Sequence, residues 1–386
     1  MAGLQAPRKT GISREAASPL DDSHRGEMSV LGSYCVSAGR GLTTFSTNPP
    51  GSAARISSTP MSDPPDSSGR SERILRKSLI SRKLVSRSRW MVDHDTHLRR
   101  PMELHLDCIP CLVRQTLDAA RHLELESATA RTLLRQTLEL LPELDWDLPP
   151  PVMAREIHRA IRELTGDPDP YLRKKISDTE TALELLPEVE EIVAASEHPL
   201  LTAVMFSIAG NAIDLGAKTT SDVDVHRVFR SALAKSVDET AFSRLERRIR
   251  DAGDVLFLSD NAGEIVFDRP LLDEIGREKV TVAVRGAPVI NDATLDDAER
   301  SGLTERFHVI SNGSDTPGTW LSDCSEAFVQ QFEKADLVIA KGQGNYESLA
   351  DHSRSVFFLF LVKCSTISAK LGIPTGRYVI RDTPSR

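Results

Sequence analysis

Between Glu103 and about Arg250 the apolar residues recur at three- and four-residue steps, as in Ile109, Leu112, Val113, Leu117, Ala120 and Leu123. That spacing lines one face of an amphipathic helix. Ala130–Leu141, Val152–Leu164, Thr179–Ala195, Leu200–Leu215 and Thr240–Asp251 read the same way. Proline and glycine clusters, LPPPV at Leu148–Val152 and GDPDP at Gly166–Pro170, punctuate these helices. From Asp254 the period changes. Val255–Leu258, Val280–Val284, Phe307–Ile310 and Leu337–Ala340 are short β-rich runs separated by helix-length segments. Val356–Val362 predicts a further buried strand and Tyr378–Ile380 a short last one. This alternation predicts an α/β fold: an N-terminal helical subdomain followed by a Rossmann-like, mostly parallel sheet with helical crossovers.

The first hundred residues follow neither pattern. They are rich in Ser, Gly, Pro and Arg and carry a net charge of +7; the whole chain carries −8, so the remainder carries −15. Such a segment cannot bury enough apolar surface to offset the entropy of ordering it. Ile74–Trp90 reads as a basic amphipathic piece. The favoured reading of residues 1–101 is a disordered or spurious extension, with Met91 and Met102 as alternative starts. The body of the chain then divides into residues 102–250 and 251–386.

Overall acidity argues against a nucleic-acid partner. The longest apolar run, Val356–Val362, is too short to span a membrane, and no signal-peptide core is present. The five cysteines are too few and scattered for a disulfide scaffold. A cytoplasmic protein is expected; its oligomeric state is not legible.

Candidate chemistry sits where the predicted strands end, the place where open α/β sheets bind ligands. The first strand runs into SDNAGE, placing Asp260 and Asn261 at its tip. The second ends in RGAPVINDAT, with Arg285 at the tip and Asp292 on the loop beyond. The fourth ends in KGQGNYE, with Lys341 at the tip and Gly342 and Gly344 after it. Two aspartates and an asparagine are hard oxygen ligands for a divalent cation. A lysine and the amides of glycines suit a phosphate. Each motif alone reads as a turn, a cap or a solvated charge; three of them at three strand ends of one sheet favour a site.

The ordered motifs DCIPC (Asp107–Cys111), DPY (Asp169–Tyr171), GNAID (Gly210–Asp214), SDNAGE, RGAPVINDAT and KGQGNYESL resemble the DUF89 family over roughly Glu103–Arg381. These are the metal-dependent damage-control phosphatases with the ARMT1-like metal-binding domain, and DCIPC resembles their stand-alone prokaryotic, cysteine-containing branch. The resemblance implies that Asp260, Asn261 and Asp292 hold Mn²⁺, Mg²⁺, Ni²⁺ or Co²⁺. It implies that Asn211, Arg285 and Lys341, with Gly342 and Gly344, contact the phosphate of a small phosphorylated metabolite. Asn211 lies in the helical part, so the site would form at the junction of the two regions. Glu264 and Asp214 are weaker candidates, read equally well as a first-turn acid and a cap.

These groups predict hydrolysis by a metal-activated water, with Asp260 and Lys341 as the catalytic residues. A covalent route through Asp260 usually has a second acid two residues on, where this chain has Ala262. An alternative function is S-adenosylmethionine-dependent carboxyl methylation, although no glycine-rich first loop with a following acid supports it. Cys108 and Cys111 form a CxxC at the predicted start of the first helix, with Asp107 as its cap. With Cys364 they make a possible second thiol site. Inert cysteines, a redox pair and part of a metal site all remain open, so a non-catalytic metal-binding or redox protein is the other alternative.

Overall fold

The computed structural model describes residues 102, 104–210 and 237–383. Among the described residues, helices α1 (Cys108–His122), α2 (Ser127–Leu140), α3 (Pro150–Thr165), α4 (Leu172–Ala194), α5 (Pro199–Gly210) and α6 (Glu239–Asp251) come before the sheet. The apolar stripes of α1 to α3 meet in one cluster around Leu112, Leu133, Met153, Ile157, Ile161 and Tyr171. Helix α4 starts two turns earlier than its apolar period predicts, because Lys175 in its first turn is drawn between Asp169 at 2.6 Å and Asp297 at 2.7 Å. Helix α5 is apolar on every side and is buried from Thr202 to Gly210, as expected of a helix enclosed by other elements.

Strands β1 (Val255–Leu258), β2 (Val280–Val284), β3 (His308–Ser311), β4 (Leu337–Lys341), β5 (Phe357–Leu361) and β6 (Tyr378–Asp382) form one sheet. Their order is β3-β2-β1-β4-β5-β6, with β6 antiparallel and the rest parallel. Helices α7 (Glu264–Ile275), α8 (Leu295–Arg300), α9 (Glu326–Lys334), α10 (Gly342–Leu349) and α11 (Ser365–Leu371) make the connections. Alternate strand residues serve opposite cores. Val255, Phe257, Val282, Ile339 and Phe357 meet α4 to α7, whereas Leu256, Leu258, Val338, Phe358 and Phe360 meet α9 to α11. The first core joins the helical part to the sheet, so the division near residue 250 separates two layers that share one apolar interior.

Met102 is buried in the second core. The remaining residues before it, with Cys35, Ile74–Trp90 and Met91, lie outside the described residues. So do Asn211 and Asp214. No described helix is long and apolar enough to cross a membrane.

Candidate active site

Strand order reverses between β1 and β4, and the crevice outside their carboxyl ends is where such sheets open. Asp260 and Asn261 follow β1 directly, and backbone hydrogen bonds lock their loop to the one after β2. The Ala262 amide donates to the Asn291 carbonyl at 2.9 Å, and the Ala293 amide to the Asp260 carbonyl at 2.8 Å. Asn261 and Asp292 face each other as an antiparallel bridge. The two loops that carry Asp260, Asn261 and Asp292 are therefore held together as one piece.

The electrostatics are those of crowded carboxylates short of cations. Burial, then the neighbouring Glu264 and Asp292, push the Asp260 carboxyl up to about 7, against the pull of Lys363 and Arg285. Burial raises Asp292 too, although the Arg285 Nε donates to its Oδ2 at 2.7 Å. The Asn261 amide donates to Asp260 Oδ2 at 3.0 Å and to Glu264 Oε2 at 2.9 Å. Glycine at 342 is what admits the Asp260 side chain: its φ is +78°, and a Cβ there would fall inside the carboxylate. Among the described residues no three His, Cys, Asp or Glu side chains form a metal-holding group; the hard-oxygen set here is two aspartates and an asparagine. A divalent cation fits this set, because it supplies the charge that the buried carboxylates lack.

The cations expected to face phosphate stand deeper than that. Lys341 is fully buried, and its ammonium donates to Glu264 Oε1 at 2.6 Å, Asp268 Oδ1 at 2.6 Å and the Ser207 carbonyl at 3.0 Å. Three donors and three acceptors leave no proton for a substrate. The two carboxylates raise the lysine's pKa despite the burial that opposes them. Arg285, 2% exposed, is similarly engaged with Asp292, Thr319, the Ser259 carbonyl and Asn345. The glycine-rich KGQG segment is the first turn of α10, not a loop. Gly344 packs its α-carbon side against the Pro317 carbonyl, so the second glycine serves a close approach of backbones.

Other groups at the site escaped the strand-end reading. Asp268, one turn after Glu264 on α7, shares Lys341 and accepts from Ser207 Oγ at 2.6 Å. Burial lifts its carboxyl to about 6 even with Lys341 pulling it down. Asn345 is buried and donates to the Ser259 and Lys341 carbonyls at 3.1 and 2.7 Å, tying the ends of β1 and β4 together. Lys363, just past β5, is exposed yet close enough to Asp260 to lower its carboxyl. The DPY motif serves the same scaffold from a distance: Asp169 pairs with Lys175, whose ammonium also donates to Asp297, and the Asp297 side chain accepts from the amide and hydroxyl of Thr294 at the end of RGAPVINDAT.

Asp107 does not cap α1 with its side chain. Its own backbone is already helical, and its carboxylate pairs with His105 at 3.4 Å instead. Cys108, Cys111 and Cys364 are free thiols. Burial pushes Cys108 up to about 11 and raises Cys111 as well, the opposite of an activated nucleophile.

The chain is similar over most of its length to proteins already known. An uncharacterized protein of Methanocaldococcus jannaschii is 32% identical over 285 residues, 71% of this chain and 93% of that protein. A protein of Archaeoglobus fulgidus named damage-control phosphatase is 37% identical over 235 residues, 59% of this chain and 81% of its own length. The crystal structure of a DUF89 family protein from Pyrococcus horikoshii superposes with a TM-score of 0.66 at 28% identity, covering 73% of this chain and all of the other. The model of the damage-control phosphatase ARMT1-like domain matches residues 104–379, and with more than two thirds of its length inside that match, the chain belongs to the damage-control phosphatase ARMT1-like domain family.

Proposed function

We propose that this protein is a metal-dependent phosphatase acting on small phosphorylated metabolites, sugar phosphates or damaged phosphometabolites. The observation that carries the reading is the placement of two buried aspartates and Asn261, with an exposed lysine within electrostatic reach, at the reversal point of the sheet. The damage-control phosphatase names of its relatives support the same class of reaction.

Asp260, Asn261 and Asp292 would hold Mn²⁺, Mg²⁺, Ni²⁺ or Co²⁺. When bound, such a cation stabilises charge on phosphoryl oxygens and makes water a better nucleophile near neutral pH. The protein's own groups have separate tasks. Arg285 fixes Asp292 and balances its charge. Lys341 fixes Glu264, which accepts from the Asn261 side-chain nitrogen, so that the side-chain Oδ1 of Asn261 would be the atom offered to a cation. Lys363 supplies the solvent-facing positive charge that draws the phosphate in. Ala262, buried two residues after Asp260, offers no acid to protonate a leaving group in a covalent route, so direct attack by water is preferred.

The test is phosphate release from a panel of sugar phosphates and phosphometabolites by chelator-treated protein, with each metal added back. Release is expected only with added cation, and Asp260→Ala and Asp292→Ala should abolish it while remaining folded. Release that ignores both chelation and Asp260→Ala would overturn the reading.

A further inference from the structure

The loop from Gly286 to Thr294, which carries Asp292 between β2 and α8, is held in a conformation that its own sequence disfavours. The Asp292 amide donates to the Val289 carbonyl at 3.1 Å, which closes a tight turn with Ile290 in its second position. The φ of Ile290 is +45°. Turns with a positive φ at that position select glycine, asparagine or aspartate, and a β-branched residue there is strained. The other described non-glycine residue with a positive φ, Glu124 at +51°, lies just past the end of α1, where a left-handed residue is an ordinary helix stop. Ile290 stops no helix.

Strain of this kind persists only where the surroundings over-determine the backbone, and here they do so from two sides. On the helical side, the half-buried Ile290 side chain packs against the apolar cluster of α1 to α3 around Leu112, Ile157 and Tyr171. Arg162 on α3 adds a polar hold, donating from Nη1 to the Pro288 carbonyl at 2.5 Å. On the sheet side, the Ala262 amide donates to the Asn291 carbonyl at 2.9 Å, and Asn261 bridges Asp292. Relaxing the turn to a negative φ would rotate the chain at Ile290 and give up one hold or the other. Glycine would make the turn without strain but has no side chain to seat in the helical cluster, so what isoleucine adds is the anchor.

We propose that Ile290 is a positioning residue: seated against the apolar core of the helical layer, it sets the strained turn that holds Asp292 opposite Asp260 and Asn261. This role rests on the assignment of those three residues to a cation, and it gives the helical layer a part in aiming one of them.

The experiment measures Mn²⁺ binding by calorimetry on the full chain, beside the melting temperature without metal, for wild type and for Ile290→Val, Ile290→Ala and Ile290→Gly. Valine keeps a branched anchor and should bind as wild type does. Loss of a supporting group costs a metal site about tenfold or more, so Ile290→Ala and Ile290→Gly should both weaken Mn²⁺ on that scale. The two differ in folding: glycine releases the strained φ that alanine retains, so Ile290→Gly should melt above Ile290→Ala. A purely structural role would make the better-folded glycine variant the better binder too. In metal-free protein, hydrogen exchange at the Ala262 and Asp292 amides should quicken in Ile290→Gly, while the Ser259 amide, which donates to the Ala283 carbonyl of β2, stays slow. Ile290→Gly that binds Mn²⁺ like wild type or melts below Ile290→Ala, affinities that rank with melting temperature, or unchanged exchange at those two amides would each overturn the role and leave the cation reading intact. Wild-type protein that binds no Mn²⁺ would overturn the cation reading itself, and this role with it.

Discussion

Replacing Lys341 by methionine separates a cation that serves the fold from one that serves the substrate. The stem volume is nearly kept, but Glu264 and Asp268 lose the ammonium that each holds at 2.6 Å. Removing one partner from a buried ion pair costs about 3–5 kcal/mol, since the other charge is left without compensation. At about 2–4 °C per kcal/mol for a domain of this order of size, the melting temperature should drop by roughly 10 °C. The loss should also depend on pH. Burial has already raised Asp268 to about 6, with Lys341 pulling it down, so without the lysine its folded pKa moves further above the unfolded value. The folded state then holds a proton that the unfolded chain releases, and stability falls as pH rises through that window. The variant should be nearest to wild type at about pH 5 and furthest from it near pH 8. Adding Glu264→Gln and Asp268→Asn removes the stranded charges and should restore most of the stability. Thermal unfolding across pH, beside turnover on a phosphate ester, provides the readout. A Lys341→Met protein that melts like wild type but turns over slowly would place the ammonium on the substrate and refute the burial argument.

Three further outcomes are expected. Gly342→Ala combines about 1–2 kcal/mol of left-handed backbone strain with a collision at the Asp260 carboxylate, so metal affinity and turnover should fall far more than stability; a fully active variant would mean that the cradle is misread. Lys363→Gln should raise KM for phosphate esters by about tenfold, the scale of a lost charge-assisted bond, with no change in melting temperature because the side chain is exposed; an unchanged KM removes it from the site. Protons compete with metal at a carboxylate raised to about 7, so calorimetric metal affinity should weaken as pH falls below that value, and a flat profile would exclude Asp260 as a ligand.

The apolar runs located the strands to within a residue or two, because a strand buried on both faces has no other composition available. The acidic and amide residues at their tips were legible for the same reason: they interrupt those runs. Depth was not legible. Lys341 and Arg285 read as phosphate contacts because a strand tip faces the crevice, yet a tip can also turn back beneath it. The clue lay on α7, where Glu264 and Asp268 are four residues apart on one helix face and need a buried cation. Lys363 escaped notice beside Cys364, one residue beyond an apolar run. KGQG at Lys341–Gly344 read as a turn on its glycines, although Asn345, Tyr346 and Leu349 just beyond already had helical spacing.

The ionic contacts behind the cleft reach far along the chain. Arg159 donates to Asp315 across 156 residues, Lys341 to Ser207 across 134 and Lys175 to Asp297 across 122. During synthesis the helical layer leaves the ribosome with Arg159, Lys175 and the Ser207 carbonyl still waiting for partners near the other end of the chain. Lys175 must wait for Asp297 and Arg159 for Asp315, and the Ser207 carbonyl is met only once β4 has emerged; the loops that must close slow folding. The cleft is therefore a late product of translation, and a nascent chain stalled before α7 (Glu264–Ile275) would present α5, apolar on every side, to whatever chaperone first meets it.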